Sequence, residues 1–240
     1  MIILPEERVL DWTSTHDPRS KNYAVRSILP APVQRRPVFW KEGPVLNQGR
    51  EGACVGYGWT AELLAEPFTP SPNPTVAAAQ DYATLAYRRA QKIDDIPGEN
   101  YEGTSVLAGA KIMQEDGQIG SYRWCFGSWD VRDCIISYGP VVIGIPWYSG
   151  MYRTTRNGVV TVEGDHVGGH CLVVTGYDPS YVVNGKAQEV FRWRNSWGTS
   201  YGINGSGIIK YRDLTALLLQ GGEACVPAGR NTPKFDISLD

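Results

Sequence analysis

The chain has 240 residues, of which 42% are hydrophobic and 20% charged, and this composition is typical of a globular protein with a sizeable core. Its formal net charge is −2, so we expect no strong attraction to nucleic acid or to an anionic membrane. The apolar runs are all shorter than the roughly 20 residues that span a bilayer. The first residues lack the features of a signal peptide, which predicts a cytoplasmic location.

Residues 1–43 are irregular and rich in proline and aromatic side chains, and we expect them to pack as an arm along the body of the fold. The segments that follow combine helix-forming residues with helix start and stop signals. The predicted helices span residues 54–66, 76–94 and 106–115. Ser105 or Thr104 is expected to cap the third helix. This part of the chain is therefore predicted to be mainly helical.

The second half of the chain consists of short apolar segments separated by glycine and proline. A short helix is predicted over residues 131–138. Strands are predicted over residues 141–145, 159–162, 171–177, 190–194 and 207–211, and their spacing favours an antiparallel sheet or an open barrel. The sequence therefore predicts one α+β domain with an arm (1–43), a helical lobe (44–120) and a β lobe (121–240), with a site in the cleft between the lobes.

Cys54 lies at the predicted N-terminus of the first helix. Free backbone N–H groups and the helix dipole favour negative charge there, which lowers a thiol pKa and makes a nucleophile. Gln48 lies close enough in sequence for its side-chain amide to donate a hydrogen bond to an oxyanion. The competing interpretation is a small buried cysteine that packs under a glycine-rich turn, since free cysteine is among the most buried residue types.

Two more polar residues lie at the ends of predicted strands. His170 begins one strand and Asn195 ends another, so together with Cys54 they belong to three separate elements. A nucleophile, a base and an orienting group on separate elements are what thiol acyl transfer requires. The imidazole would take the thiol proton, and the Asn195 amide would orient the ring.

A metal site is an alternative interpretation of some of these residues. His166 and His170 are four positions apart, and Cys171 and Cys54 could join them. However, the two histidines lie in a glycine-rich loop, and Cys171 alternates to the opposite face of its strand from His170. The sequence therefore predicts neither a metal nor another cofactor. The remaining cysteines, at positions 125, 134 and 225, are expected to be reduced thiols.

Three motifs resemble those of the papain-like cysteine peptidases. Residues 45–54 read VLNQGREGAC and resemble the family's Gln-Gly-x-x-Gly-x-Cys signature. Residues 169–177 read GHCLVVTGY and resemble its histidine strand. Residues 194–205 read RNSWGTSYGING and resemble its Asn-Ser-Trp-Gly block. The motifs follow the family's order, cover roughly residues 44–212, and imply the two-lobed papain-like fold.

The resemblance implies a role for each matching residue of the catalytic site. Cys54 would be the nucleophile, and His170 the general acid/base that Asn195 orients. Gln48 and the backbone N–H of Cys54 would form the oxyanion hole. Trp197 would shield the hydrogen bond between His170 and Asn195 from water.

The resemblance also implies where substrate binds. Glu102 and Gly103 match the stretch that hydrogen-bonds the substrate backbone in extended form. Gly144 and Gly168, with the adjacent Gly169, fall where family members line the pocket for the second residue before the scissile bond. Glycines at these positions would leave that pocket roomy.

The chain departs from the secreted members of this family in several ways. Glu51 stands where those members have a cysteine three positions before the nucleophile, and Val55 stands where tryptophan is usual. Residues 1–43 are too short for a full inhibitory pro-segment and lack its long helical pattern. Together with the stretches 101–105 and 222–227, these departures resemble the bacterial and bacteriophage branch.

These observations predict a cysteine endopeptidase that acts through a thiolate–imidazolium pair and a thioester acyl-enzyme. Two alternatives stay open: an amidase or transpeptidase that acts on cell-wall peptides or other amides, and a catalytically restrained binding or virion-associated protein. The expected partners are a peptide or protein substrate and an inhibitor, either a separate protein or the arm itself; nucleic acid and membrane are not expected. An association with phage or host cells would also be compatible with the bacteriophage resemblance.

Overall fold

Helices occupy the first half of the chain and strands most of the second. The computed structural model describes residues 8–15, 17–70, 73–96, 102–231 and 235, so Tyr101 of the 101–105 stretch lies outside the described residues. Across the described residues the helices are α1 Cys54–Leu63, α2 Val76–Ala90, α3 Val106–Glu115, α4 Ser128–Ser137 and α5 Tyr211–Leu219. The strands are β1 Val38–Phe39, β2 Ile119–Cys125, β3 Val141–Tyr148, β4 His166–Val183, β5 Lys186–Arg194, β6 Ser206–Lys210 and β7 Glu223–Arg230.

Helices α2 and α3 begin at side-chain caps. Thr75 Oγ1 accepts the backbone N–H of Ala78 at 3.1 Å, and Ser105 Oγ accepts that of Ala108 at 3.1 Å. Each cap satisfies a donor that the first helical turn leaves without a partner. The three helices predicted for the first half are confirmed, with Ser105 as the cap of α3. No helix in the described ranges is both long and apolar enough to cross a bilayer.

The strands form one antiparallel sheet in the order β2-β7-β3-β4-β5-β6, and β1 pairs with β4. In its centre, Ile145 of β3 lies opposite His170 of β4. Arg194, the last residue of β5, lies opposite Val173 of β4. The sheet therefore brings Asn195, the residue that follows β5, close to the strand that carries His170.

The second half of the chain differs from the prediction in three respects. Of residues 159–162, only Val159 and Val160 pair, as isolated bridges, so the expected strand does not form. Strand β3 continues through Pro146, because β7 pairs only with Val142–Gly144 and needs no N–H from the proline. The elements β2, α5 and β7 are missing from the prediction altogether.

Hydrophobic cores lie on both sides of the sheet. One core is formed by the sheet with α4 and α5 and includes Trp147 and Trp193. The other is formed by the sheet with α1 and α3 and includes Trp59, Met113 and Val173. The molecule therefore has the predicted two-lobed α+β architecture, in which α1 packs directly against β4.

The N-terminal arm is anchored to this body at its middle. Two 3₁₀ turns, Pro18–Tyr23 and Val25–Ser27, pack against strand β2. Arg26 forms ion pairs with Asp130 and Asp133, whose carboxylates are almost fully buried on α4. These pairs fix the arm near residue 26, and residues 8–13 extend over the cleft.

Candidate active site

Cys54 is the first residue of α1, and its side chain is completely buried. Backbone hydrogen bonds from Cys171 and Asp11 favour the thiolate, but burial outweighs them and raises the pKa of the thiol to about 12. The sequence predicted a lowered pKa at this helix N-terminus. That expectation fails in this conformation because the site is closed to water, and desolvation dominates the helix dipole.

His170 lies in a closed aromatic cage. Its Nε2 donates to Oδ1 of Asn195 at 2.8 Å, and Nδ1 is buried without a hydrogen-bond partner. The rings of Trp197 and Trp147 lie 4.7 and 4.8 Å from the imidazole ring, centroid to centroid. Burial lowers the pKa of His170 to about 4; Asn195 opposes this shift, and the nearby charge of Arg8 adds to it. The imidazole is therefore neutral at pH 7.

Gln48 is held by the segment that contains Asn195. Its Oε1 accepts from Ser196 Oγ at 2.5 Å, and its backbone N–H donates to the Ser196 carbonyl at 2.8 Å. Its Nε2 donates to the carbonyl of Glu51 at 2.8 Å. Because an amide nitrogen carries two hydrogens, one N–H of Gln48 stays available to another acceptor.

The arm lies as an extended strand inside the cleft. The N–H of Trp12 donates to the carbonyl of Gly169 at 3.0 Å, and the N–H of Thr104 donates to the carbonyl of Asp11 at 3.1 Å. The N–H of Thr13 donates to the carbonyl of Thr104 at 3.2 Å. The arm therefore bridges two segments of the body by backbone hydrogen bonds, as an extended peptide ligand does.

Trp12 fills a pocket of the cleft. Its indole packs against Gly144, where a Cβ atom would overlap the ring. Its Nε1 donates to Oε1 of Glu223 at 2.9 Å. Burial raises the pKa of Glu223 to about 7. The pocket that the sequence predicted to be roomy at Gly144 thus accommodates an indole, with a carboxyl group at its base.

At the other side of the cleft, Arg8 of the arm covers Trp197. Arg8 Nη2 donates to the Trp197 carbonyl at 3.1 Å, Nη1 donates to Asn47 Oδ1 at 3.1 Å, and the guanidinium lies 5.6 Å from the Trp197 ring centroid. Leu10 packs against Gly168, where a side chain would clash with it. The arm therefore extends over the whole cleft between Trp197 and the Trp12 pocket.

Asp11 occupies the position beside the thiol. Its carboxylate packs on Gly52, and Oδ2 is buried without a hydrogen-bond partner. Burial, then the charge and hydrogen bond of Glu102, raise the pKa of Asp11 to about 6. The carbonyl of Asp11 packs on Gly103. The predicted substrate-binding residues Glu102 and Gly103 thus contact the arm.

The predicted site residues converge on one cleft, with two qualifications. No hydrogen bond joins the Cys54 thiol to the His170 ring, although both groups are described. His166 of the metal alternative is exposed and packs against the ring of Tyr148. Within the described ranges, no three His, Cys, Asp or Glu side chains are placed to hold a metal ion.

Comparison with known proteins decides the family. A family model described as papain family cysteine protease matches residues 83–215, more than half of the chain. The chain belongs to the papain family of cysteine proteases. The matched range includes His170 and Asn195, whereas Gln48 and Cys54 precede it. A search of curated protein sequences gives no significant match.

Solved structures of cysteine proteases have the same fold as this protease. Xylellain, a cysteine protease from Xylella fastidiosa, has 18% identity and a TM-score of 0.58, with 92% of each chain covered. The bromelain protease from Ananas comosus in complex with the E64 inhibitor has 11% identity and a TM-score of 0.58, covering 82% of this chain and all of its own. Procathepsin L 3 of Tenebrio molitor larval midgut has 14% identity and a TM-score of 0.54, covering 93% of this chain and 74% of its own.

The sequence prediction missed four residues of the protease site: Asp11, Trp12, Trp147 and Glu223. Trp147 follows the proline at which β3 was expected to end, so its place beside His170 was hidden. Glu223 lies in the 222–227 stretch, which contributed to the resemblance but was given no position in the cleft. The sequence pattern of the arm did not indicate that its polar and aromatic residues bind in the cleft.

Proposed function

We propose that the chain is a cysteine endopeptidase in which Cys54 is the nucleophile, His170 the general acid/base and Asn195 the group that orients the imidazole. The observation that carries this proposal is the geometry of His170. Its Nε2 is committed to Asn195 at 2.8 Å, which leaves the unpartnered Nδ1 as the atom that can accept a proton. The amide of the next residue, Cys171, hydrogen-bonds the Cys54 thiol.

The reaction then follows from the positions of these groups. The thiolate of Cys54 attacks the scissile carbonyl carbon, and the resulting oxyanion accepts hydrogen bonds from the Cys54 N–H and the free N–H of Gln48. The imidazolium of His170 gives its proton to the leaving amine, which leaves a thioester. His170 then takes a proton from water, and the hydroxide hydrolyses the thioester. Loss of the Gln48 donor would raise the barrier by about 3 kcal/mol.

We further propose that the arm inhibits the enzyme in the conformation described here. A thiol with a pKa of about 12 and an imidazole with a pKa of about 4 do not form an ion pair at neutral pH. Burial is the main cause of both shifts, and the arm supplies part of that burial. The similar structures include a procathepsin and a bromelain in complex with the E64 inhibitor, and the latter supports a cleft that binds an inhibitor.

The direction of the arm explains why it would inhibit without being cut. The leaving amine must lie near His170 and Trp197 to receive its proton, so the C-terminal part of a substrate lies on that side. The arm places Arg8 at Trp197 and the later residue Trp12 in the Gly144 pocket. It therefore runs opposite to a substrate, and its carbonyl groups are misaligned for attack by the thiol.

Alkylation of Cys54 tests these assignments. We would treat the wild type and the Trp12→Ala variant with iodoacetamide at pH 6 and locate the label by mass spectrometry. We expect slow labelling of the wild type and at least about tenfold faster labelling of Cys54 alone in Trp12→Ala, since loss of the indole weakens arm closure. Adding His170→Ala to that variant should abolish the fast labelling.

The matched control is Tyr23→Ala, which removes an exposed aromatic side chain of the arm outside the cleft. It should label like the wild type. A casein digest measured beside the labelling should show cleavage only in the chains whose Cys54 reacts fast. Equal, slow labelling of every variant would contradict both the ion pair and the inhibitory role of the arm.

A further inference from the structure

A cavity of about 620 Å³ lies next to the Trp12 end of the cleft. Its wall includes the beginning of α4, the end of α5 and the segment of the arm that follows Trp12. Three large apolar side chains around it are strongly exposed: Phe126 at 48%, Trp129 at 56% and Leu219 at 83%. Exposed apolar side chains concentrated around one cavity mark a surface that binds something apolar.

The cavity is continuous with the cleft. Glu223 lines the cavity and also accepts the hydrogen bond from the Trp12 indole. The arm continues from Trp12 along the cavity, which its residues Thr15, Asp17 and Ser20 line. These side chains are small and polar, and the described residues of the arm leave the cavity open. A peptide that follows the track of the arm therefore passes an apolar cavity that these described residues do not fill.

We propose that this cavity is a distal substrate subsite that takes an aromatic or large aliphatic side chain. The proposal rests on the proposed peptidase function and on the reversed direction of the arm. A substrate that runs opposite to the arm places its N-terminal residues where Thr15 and Asp17 now lie. These residues follow Trp12 by three and five positions. The side chain that enters the cavity therefore belongs to a residue three to five positions before the one in the Trp12 pocket.

The chemistry of the wall selects an apolar occupant. The hydroxyls of Ser128 and Thr215 hydrogen-bond each other at 2.7 Å, and Thr215 also donates to a backbone carbonyl at 2.8 Å. Asp17 is paired with Arg19, and Glu223 is engaged by Trp12. The charged groups of the wall are acidic, which disfavours an anionic ligand. The apolar side chains of the wall are those of Trp124, Phe126, Trp129, Leu218 and Leu219, next to Cys125 and the ring of Tyr211.

The floor of the cavity persists when the arm leaves the cleft. It belongs to α4, α5 and the end of β2, which are parts of the body. The arm is anchored at Arg26 by Asp130 and Asp133, so release of the preceding segment that includes Thr15 and Asp17 does not require release of the anchor. The subsite is therefore present in the open enzyme, which is the form that binds substrate.

The test uses the full-length Trp12→Ala chain and two fluorogenic peptides. The peptides are identical except for phenylalanine or serine at the position four residues before the one in the Trp12 pocket; companion pairs vary the positions three and five residues before it. We expect kcat/KM to favour phenylalanine by about 10- to 100-fold at one of these positions, because burial of such a side chain is worth that factor. The preference should lie mainly in KM, since the contact is the same in ground and transition states.

Variants of exposed residues locate the effect. Adding Trp129→Ala and Leu219→Ser should reduce the preference to less than about threefold and leave cleavage of a short peptide that ends at the Trp12 pocket unchanged. The matched control is Val182→Ser, which removes an exposed apolar side chain on β4 outside the cavity. It should keep the full preference. Equal unfolding midpoints would show that the variants are folded.

The outcomes separate this inference from the proposed function. Cleavage of the short peptide without any preference for phenylalanine would overturn the subsite and leave the peptidase intact. If no peptide is cut, binding of the same peptide pair to a Cys54→Ala, Trp12→Ala chain, measured by calorimetry, tests the cavity without catalysis. Equal affinities there would overturn the subsite. Tighter binding of the phenylalanine peptide that Trp129→Ala abolishes would support it.

Discussion

At the scale of single residues, burial controls the protonation of Cys54 and His170. Both side chains are completely buried, and burial is the main cause of the raised pKa of the thiol and the lowered pKa of the imidazole. Arg8 adds a positive charge near the ring. Withdrawal of the arm admits water and removes that charge, so both pKa values move back toward the range in which an ion pair forms.

This relation predicts a change in the pH profile of Cys54 alkylation. In the wild type the rate should rise only toward alkaline pH, because the buried thiol ionises near pH 12. In Trp12→Ala we expect a plateau that extends into the acid range, where the ion pair supplies the thiolate. Rates measured between pH 4 and 9 distinguish the two profiles. The plateau should disappear when His170→Ala is added, and its persistence would show that another group ionises the thiol.

A second prediction concerns the buried pair of Glu62 and Arg230. Their side chains are 1% and 2% exposed, and Arg230 also donates to the Glu62 carbonyl. Glu62→Gln leaves the guanidinium buried without its countercharge, so we expect a loss of about 3–5 kcal/mol in the free energy of unfolding. Urea denaturation measures it. Glu115→Gln, in an exposed ion pair with Arg89, is the control and should cost less than about 1 kcal/mol.

At the scale of structural elements, the segment of residues 8–13 of the arm depends on pH through the carboxylate of Asp11. The carboxylate of Asp11 faces Glu102, the Cys54 thiol and the phenol of Tyr87. Burial and Glu102 raise its pKa to about 6, above the value of about 4 for a free aspartate. Closure of the arm therefore favours protonated Asp11. The contribution is complete below about pH 4 and is lost as the pH rises through about 6.

This dependence predicts that the arm opens more readily at neutral than at acid pH. Hydrogen-exchange protection of residues 10–13, corrected for intrinsic rates, should fall between pH 5 and 8 in the wild type. Asp11→Asn cannot ionise, so its protection should stay nearly constant over this range. Asp17→Asn changes an acid of the arm outside the cleft and should behave like the wild type. A pH dependence that survives in Asp11→Asn would assign the effect to another group.

The elements also show which parts of the fold the sequence encodes locally. The helices up to residue 115 are predictable because helical spacing and stop signals lie within each segment, and Ser105 supplies the cap of α3. Strand β7 is not predictable from the sequence, because Pro227 and Gly229 are residues that usually interrupt strands. The strand forms because it pairs with β2 along its length and with β3 only over residues 223–225, so β3 requires no N–H from Pro227.

The same distinction applies to the site. Cys54, His170, Asn195 and Gln48 belong to motifs that can be read along the chain. The place of Trp147 beside His170 and of Trp12 on Gly144 depends on the register of strands and on docking of the arm. Such long-range contacts leave no periodic signal, so the closed cleft could not be predicted from the sequence.

At the scale of the whole molecule, the two cores share one sheet. This arrangement predicts that the buried thiols are all protected from labelling to the same extent. The described cysteines are all free, and Cys134, Cys171 and Cys225 are completely buried in these cores. Because the cores share one sheet, these thiols should become reactive only on global unfolding. Their labelling rates should be equal and should rise with urea with the slope of global unfolding.

Cys54 provides the internal comparison for this experiment. Its exposure needs only withdrawal of the arm, which uncovers little surface, so its labelling should be faster and depend weakly on urea. The four thiols can be followed together by mass spectrometry. A separate, faster rate for Cys225 or Cys171 would show that one lobe opens independently of the other.

The anchor at Arg26 has a consequence for the proposed inhibition by the arm. A ligand that is tied to its own site by a short chain competes at an effective concentration on the order of millimolar. That concentration does not change when the protein is diluted. A micromolar peptide therefore reaches Cys54 only if its affinity for the cleft exceeds that of the arm by more than the ratio of the two concentrations. Under the proposed inhibition, the tether sets a minimum affinity that weak, transient binding of unfolded chains does not reach.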